Sequence, residues 1–149
     1  MKKNYLINIL VLFIFTFITQ CKTDEVTPSN IILYNKPLKT IQQCINGKWK
    51  LEYSYGGLLS HKYIETHNSY MTINSDHIIM GDDSRGVVVD TTIIWKREKD
   101  VYNDYTYLMG FSWSGYLWPE YQIVDQIKND TLIIKENGYD GYDYYYTKY

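Results

Sequence analysis

The stretch that decides the fold runs from residue 47 to residue 57 and reads GKWKLEYSYGG. Its large apolar side chains, Trp49, Leu51, Tyr53 and Tyr55, alternate with polar ones. A period of two is typical of a strand with one buried and one wet face, and the two closing glycines mark its end. We therefore predict a half-buried strand that sends these four side chains into a common interior.

Segments of the same kind follow along the chain, and turn dipeptides such as Asn129-Asp130 separate most of them. A short helix precedes them, opened by Pro37 and stopped by Asn46-Gly47. The predicted strands span residues 48–55, 70–74, 77–80, 87–97, 101–113, 121–127, 131–136 and 142–149, with residues 61–66 as a further candidate.

This order predicts an all-β fold, an antiparallel meander of about eight strands with a short N-terminal helix. Such a sheet removes its exposed edges by closing into a barrel, which has room for its own side chains or one small ligand. A two-sheet β-sandwich is the alternative, because strand counting alone does not exclude it.

Composition excludes several classes of function. The chain has 149 residues and a formal net charge of −2, so a non-specific nucleic-acid binder is excluded. Its two cysteines are too few for a multi-disulfide scaffold. We find no nucleophile motif, no phosphate-binding glycine loop and no convincing set of metal ligands, and therefore expect a binding protein without a cofactor rather than an enzyme.

The N-terminus has the layout of a secretory signal peptide. A positive start is followed by residues 4–20, which are uncharged and mostly apolar, and this run is short for a membrane-spanning helix. Ile18-Thr19-Gln20-Cys21 resembles the lipobox of bacterial lipoproteins. That resemblance implies cleavage before Cys21 and attachment of a lipid to its thiol. Together with further acyl chains, this lipid anchors the protein to a membrane.

The expected organisation is a lipoprotein signal peptide over residues 1–20, a lipidated tether over residues 21–36 and a barrel domain over residues 37–149. We expect the protein in the cell envelope, lipid-anchored to the outer membrane and facing the periplasm or the surface. Loss of Lys2 and Lys3 lowers the formal charge from −2 to −4. An ordinary signal peptide is the alternative, and a Cys21–Cys44 disulfide then becomes possible.

Gly47-Lys48-Trp49, at the start of the first strand and after a short helix, resembles the Gly-x-Trp signature of lipocalins and of lipocalin-like domains in small bacterial lipoproteins. Asn103-Asp104-Tyr105 is similar to a second lipocalin motif. The resemblance implies that Trp49 closes one end of a barrel and that a basic residue near the last strand stacks on it. Lys148 and Lys135 are the candidates for that residue. The resemblance also implies binding of small apolar ligands.

Bulky aromatic side chains supply the candidate ligand contacts. In the strand over residues 105–113 they occupy the odd positions, which we expect to point inward with those of the first strand. Aromatic side chains at this spacing also form plain packed cores. The candidates are Tyr53, Tyr55, Tyr105, Tyr107, Phe111 and Trp113, together with Trp118 in a predicted loop.

Two functions therefore stay open. The first is binding of a small apolar or amphipathic ligand inside the barrel. The second is a protein-interaction module, such as an envelope inhibitor or an accessory subunit of a surface complex, with a solid barrel. In that case the outer tyrosines and the Trp118 loop contact the envelope protein partner.

Overall fold

The computed structural model describes residues 28–112 and 120–149. The predicted all-β fold with a short N-terminal helix is confirmed. The described residues form the helix α1 (Leu38–Ile45) and the strands β1 (Asn30–Ile32), β2 (Gly47–Gly56), β3 (His61–Ile64), β4 (Tyr70–Asn74), β5 (His77–Asp82), β6 (Gly86–Thr92), β7 (Ile94–Lys99), β8 (Tyr105–Phe111), β9 (Glu120–Lys128), β10 (Thr131–Glu136) and β11 (Tyr142–Lys148).

The strands form one strongly curled antiparallel sheet, a half-barrel. Its hydrogen-bonded order is β6-β5-β4-β2-β11-β10-β9-β8-β7, with β1 added to β9 and β3 added to β2. The two ends of this order, β6 and β7, are separated along the chain by Ile93 alone. Nine flat strands would be about 38 Å wide, whereas one intervening residue spans about 7 Å. The connection therefore requires the curl.

Several element boundaries differ from the sequence prediction. The segment 87–97 is interrupted at Ile93, whose side chain is buried and whose N–H donates to the Asp76 carbonyl at 2.6 Å. Residues 101–104 form the turn before β8 instead of its start. The folded unit begins before residue 37, because β1 pairs with β9 and Leu33 is fully buried. The apolar run that contains β1 and Leu33 was expected in the tether, but it adds a strand to the sheet and a side chain to the core.

The helix and Trp49 seal one end of the interior. Pro37 precedes the first residue of α1 and Asn46 follows its last, as predicted. Ile41, Cys44 and Ile45 form the buried stripe of the helix, one turn apart. Trp49, also fully buried, belongs to the same core cluster.

A β-bulge at Glu52 reverses the faces of β2. Leu51 pairs with Tyr146 and Tyr53 pairs with Tyr145, so two residues advance on β2 while one advances on β11. Tyr146 belongs to the core, and its neighbour Tyr145 faces the opposite side of the sheet. Beyond the bulge, Tyr53 and Tyr55 therefore point away from the interior, and Ser54, which pairs with Tyr144, lies on the inner face.

The prediction of four inward side chains on β2 is consequently wrong for two of them. Trp49 is fully buried and Leu51 packs against the core. Tyr53 instead stacks on Tyr145 on the outer face, with ring centroids 4.3 Å apart, and Tyr55 is 45 % exposed. The period of two predicts the faces only as far as the bulge.

Candidate functional site

At the sealed end, a lysine from the last strand lies over Trp49. The Lys148 Nζ is 4.4 Å from the centroid of the Trp49 ring and donates to the Asn46 carbonyl at 3.1 Å. Residue 47 favours glycine because its φ is +124°, a backbone conformation that other residues rarely adopt. Burial lowers the pKa of Lys148. Of the two candidate lysines, Lys148 occupies this place, whereas Lys135 pairs with an aspartate on the outer face at 3.1 Å.

Beyond Trp49, the interior opens into a cavity of about 180 Å³, called here the central cavity. A cavity of about 150 Å³ holds a benzene molecule, so this volume suits a ligand built on one small ring and not a long acyl chain. Its side chains come from the segments β2, β4, β5, β6, β9 and β11 and from the turns between them. Apolar and aromatic surface is supplied by Leu51, Met80, Val88, Tyr70, Tyr144 and Tyr146.

Two buried polar side chains line the central cavity without a hydrogen-bond partner among the described residues, Gln122 and Tyr146. Gln122 is 6 % exposed and Tyr146 is 4 % exposed. Among the described residues, the one side-chain polar atom that is fully buried without a hydrogen bond is Trp95 Nε1. The polar atoms of Gln122 and Tyr146 are therefore open to the cavity, where a bound molecule can pair with them. Burial and then the nearby Glu65 carboxylate raise the pKa of Tyr146, so its hydroxyl stays protonated at neutral pH.

A third polar group of the wall is already bound. The Tyr144 hydroxyl donates to Glu136, whose second carboxylate oxygen accepts the Tyr142 N–H at 3.0 Å. Burial and the bond to Glu136 raise the pKa of Tyr144. This pair fixes the ring of Tyr144 against the cavity.

The charged side chains of the cavity come from its rim. Asp82 is 3 % exposed, and its Oδ2 lies 2.6 Å from Nη2 and 2.7 Å from Nε of Arg85. Its Oδ1 accepts from Ser84 N and Oγ at 2.9 and 2.6 Å and from Arg85 N at 2.7 Å. The bonds from Ser84 and Arg85 hold the pKa of Asp82 well below its usual range. Asp82 therefore fixes the turn between β5 and β6 as an ion.

Glu65 is the other acidic residue of the rim. It accepts the His67 N–H at 2.7 Å. No cationic side chain of the described residues forms an ion pair with it. Since Asp82 and Arg85 neutralise each other, the Glu65 charge dominates this part of the cavity.

The five described aromatic residues predicted as ligand contacts lie elsewhere. Tyr53 and Tyr55 are on the outer face, where the Lys62 Nζ is 3.8 Å from the Tyr53 ring centroid. Phe111 is fully buried in the core, and Tyr107 packs against that core. None of them lines the central cavity.

Tyr105 is a further correction, because it is 62 % exposed instead of inward. It is the first residue of β8, next to the turn, so its ring extends past the core. Together with Tyr107 it borders a shallow surface depression that also contains Lys36 and Arg97. Cys21, Trp113 and Trp118 lie outside the described residues.

The cavity-lining residues Gln122, Tyr144 and Tyr146 were not singled out from the sequence. A usable signal is present in the last strand, because Tyr144 and Tyr146 alternate with Tyr145. Pairing that strand with β2 in phase with Trp49 places both on the inner face.

Comparison with family models, curated proteins and solved structures gives no match for this chain. Within residues 28–112 and 120–149, no helix is long and apolar enough to cross a membrane. The same ranges hold no group of three His, Cys, Asp or Glu side chains arranged to bind a metal ion.

Proposed function

We propose that the protein binds a small amphipathic molecule in the central cavity. The observation that carries the proposal is the pair of buried side chains, Gln122 and Tyr146, that line the cavity without a partner among the described residues. A ligand with hydrogen-bonding groups can pair with these polar atoms, which are open to the cavity. Small-molecule sites commonly combine an apolar wall with a few such polar groups.

The wall supplies the rest of such a site. Leu51, Met80 and Val88 offer contacts to a carbon skeleton, while Gln122 and Tyr146 orient its polar group. The volume of about 180 Å³ limits the ligand to roughly one ring with a short substituent.

The test is an NMR titration of the full-length protein with three probes of equal size: 2-phenylethylamine, 2-phenylethanol and phenylacetate. Val88→Phe fills the cavity, and Val87→Phe adds the same bulk to an adjacent residue that is 56 % exposed. We expect at least one probe to bind the unaltered protein and Val87→Phe but not Val88→Phe. Binding of no probe, or equal binding to both variants, contradicts the proposal.

A second candidate function is supported by an exposed surface on β2, β3 and β11. We name it the outer tyrosine face, formed by Tyr53, Tyr55 and Tyr145 together with Ile64, which pairs with Tyr53 and is exposed. The adjoining turn presents two leucines that are 83 % and 73 % exposed. Large exposed apolar patches mark protein–protein contacts.

For this protein-interaction function, the partner would be another envelope protein. Replacing both exposed leucines, Leu58 and Leu59, by serine in a tagged form of this protein should abolish capture of the partner. Val88→Phe should leave capture of the partner unchanged. The reverse pattern would refute an interaction through the outer tyrosine face.

We also propose that the protein is a lipid-anchored lipoprotein of the cell envelope. The support is the apolar segment over residues 4–20 followed directly by Cys21. Metabolic labelling with a palmitate analogue should label the protein, and Cys21→Ser should lose both the label and the membrane association. Cys44→Ser is the matched control and should keep both. Retention of the label in Cys21→Ser would contradict the anchor.

A further inference from the structure

We infer that the ligand of the central cavity is a small organic cation, an amine carried on an apolar body. The inference rests on the proposed function and adds the charge of the ligand to it. It is carried by the charges and rings around Gln122 and Tyr146.

The acidic side chains of the cavity outnumber the available basic ones. Glu65, Asp82 and Arg85 line it, and both nitrogens of Arg85 that face Asp82 are within 2.7 Å of its carboxylate. The guanidinium is thus committed to Asp82, and the pair is close to neutral. Glu65 has no ion-pair partner among the described residues, and the Glu136 carboxylate accepts the Tyr144 hydroxyl behind the cavity wall. The field inside the cavity is therefore negative, which favours a cation.

The unpartnered atoms and the rings suit an ammonium group. Gln122 offers a carbonyl oxygen and Tyr146 a hydroxyl oxygen, both of which accept hydrogen bonds from N–H donors. Tyrosine rings attract cations through their negative faces, and Tyr144 and Tyr146 both line the cavity. A carboxylate there would meet Glu65 and no uncommitted cation, so it should be excluded.

The same three probes separate this inference from the proposed function, because they share a ring and differ in charge. We expect 2-phenylethylamine to bind at least tenfold more tightly than 2-phenylethanol, and phenylacetate to show no binding. Glu65→Gln should lower the amine affinity about tenfold and leave the alcohol affinity unchanged. Glu98→Gln removes the same charge from an exposed site on β7 and should change neither affinity.

Salt provides a second measurement that needs no variant, since raised ionic strength should weaken binding of the amine and not of the alcohol. Equal affinities for amine and alcohol, or an unchanged ratio in Glu65→Gln, would overturn the cation inference. The proposed function would then still stand if Val88→Phe abolishes binding. Binding of none of the three probes would overturn both.

Discussion

The polar atoms at the two ends of the interior differ in whether they have hydrogen-bond partners. At the sealed end, the Trp49 Nε1 donates to the Ile45 carbonyl at 2.7 Å, and Lys148 lies over the ring and donates to Asn46. In the central cavity, Gln122 and Tyr146 have no such partner among the described residues. The first arrangement is what a structural core requires. The second leaves polar atoms open to the cavity, as the proposed binding of a ligand there requires.

The largest expected effect is at the sealed end. Trp49→Ala removes a fully buried ring and its bond to Ile45, and should lower the free energy of unfolding by about 3–5 kcal/mol. Urea denaturation monitored by circular dichroism measures it. A loss below about 1 kcal/mol would show that Trp49 does not hold this end together.

The next effect is a pH dependence at the cavity rim. The pKa of Asp82 is lowered in the folded protein, so its contribution to stability is present above its unfolded pKa of about 3.9 and is lost as the pH falls below it. Asp82→Asn should therefore be less stable than the unaltered protein at neutral pH, and the difference should shrink with acidification.

Urea denaturation between about pH 7 and pH 2.5 checks this sign. Asp140→Asn, at an exposed turn position, serves as the control and should follow the unaltered protein. A difference for Asp82→Asn that stays constant over the whole range would show that its carboxylate charge is not what fixes the turn.

A smaller effect is expected from the lysine over the tryptophan. Lys148→Met keeps the aliphatic length but removes the cation–π contact and the bond to Asn46, and should cost about 0.5–1 kcal/mol. The variant to compare with Lys148→Met is Lys135→Met, which removes a lysine from the outer face instead of the sealed end. Equal chemical denaturation midpoints for Lys148→Met and the unaltered protein would contradict the stabilising role.

The smallest effect on stability should come from the cavity. Tyr146→Phe deletes an unpartnered hydroxyl, so the free energy of unfolding should stay the same or rise slightly. The matched change at the sealed end, Trp49→Phe, removes a bound N–H and part of a packed ring and should be destabilising. A loss of about 1 kcal/mol or more for Tyr146→Phe, the usual worth of a hydrogen bond, would mean that the hydroxyl is bound within the protein.

Local patterns predicted much of the fold. Pro37 and Asn46 bound the helix as expected, and two strands, β4 and β10, have the predicted limits. These features depend on neighbouring residues alone. The curl of the sheet depends in addition on the strand order and on the break at Ile93, within a segment predicted as one strand.

The faces of β2 and the site could not be predicted in the same way. The bulge at Glu52 is set by pairing with β11, about 90 residues later in the chain. It moved Tyr53 and Tyr55 from the expected interior to the outer face. The cavity likewise depends on Gln122 from β9 meeting Glu65 and Asp82 from other elements, a long-range arrangement that no period along a single strand encodes.

The most direct test of the contrast between the two ends is a crystal structure of the protein with 2-phenylethylamine. The account predicts the ring between Met80 and Val88, hydrogen bonds from the ammonium to Gln122 or Tyr146, and its nitrogen within about 4 Å of the Glu65 carboxylate. A probe bound only on the outer tyrosine face, with the central cavity empty or filled by water, would contradict it.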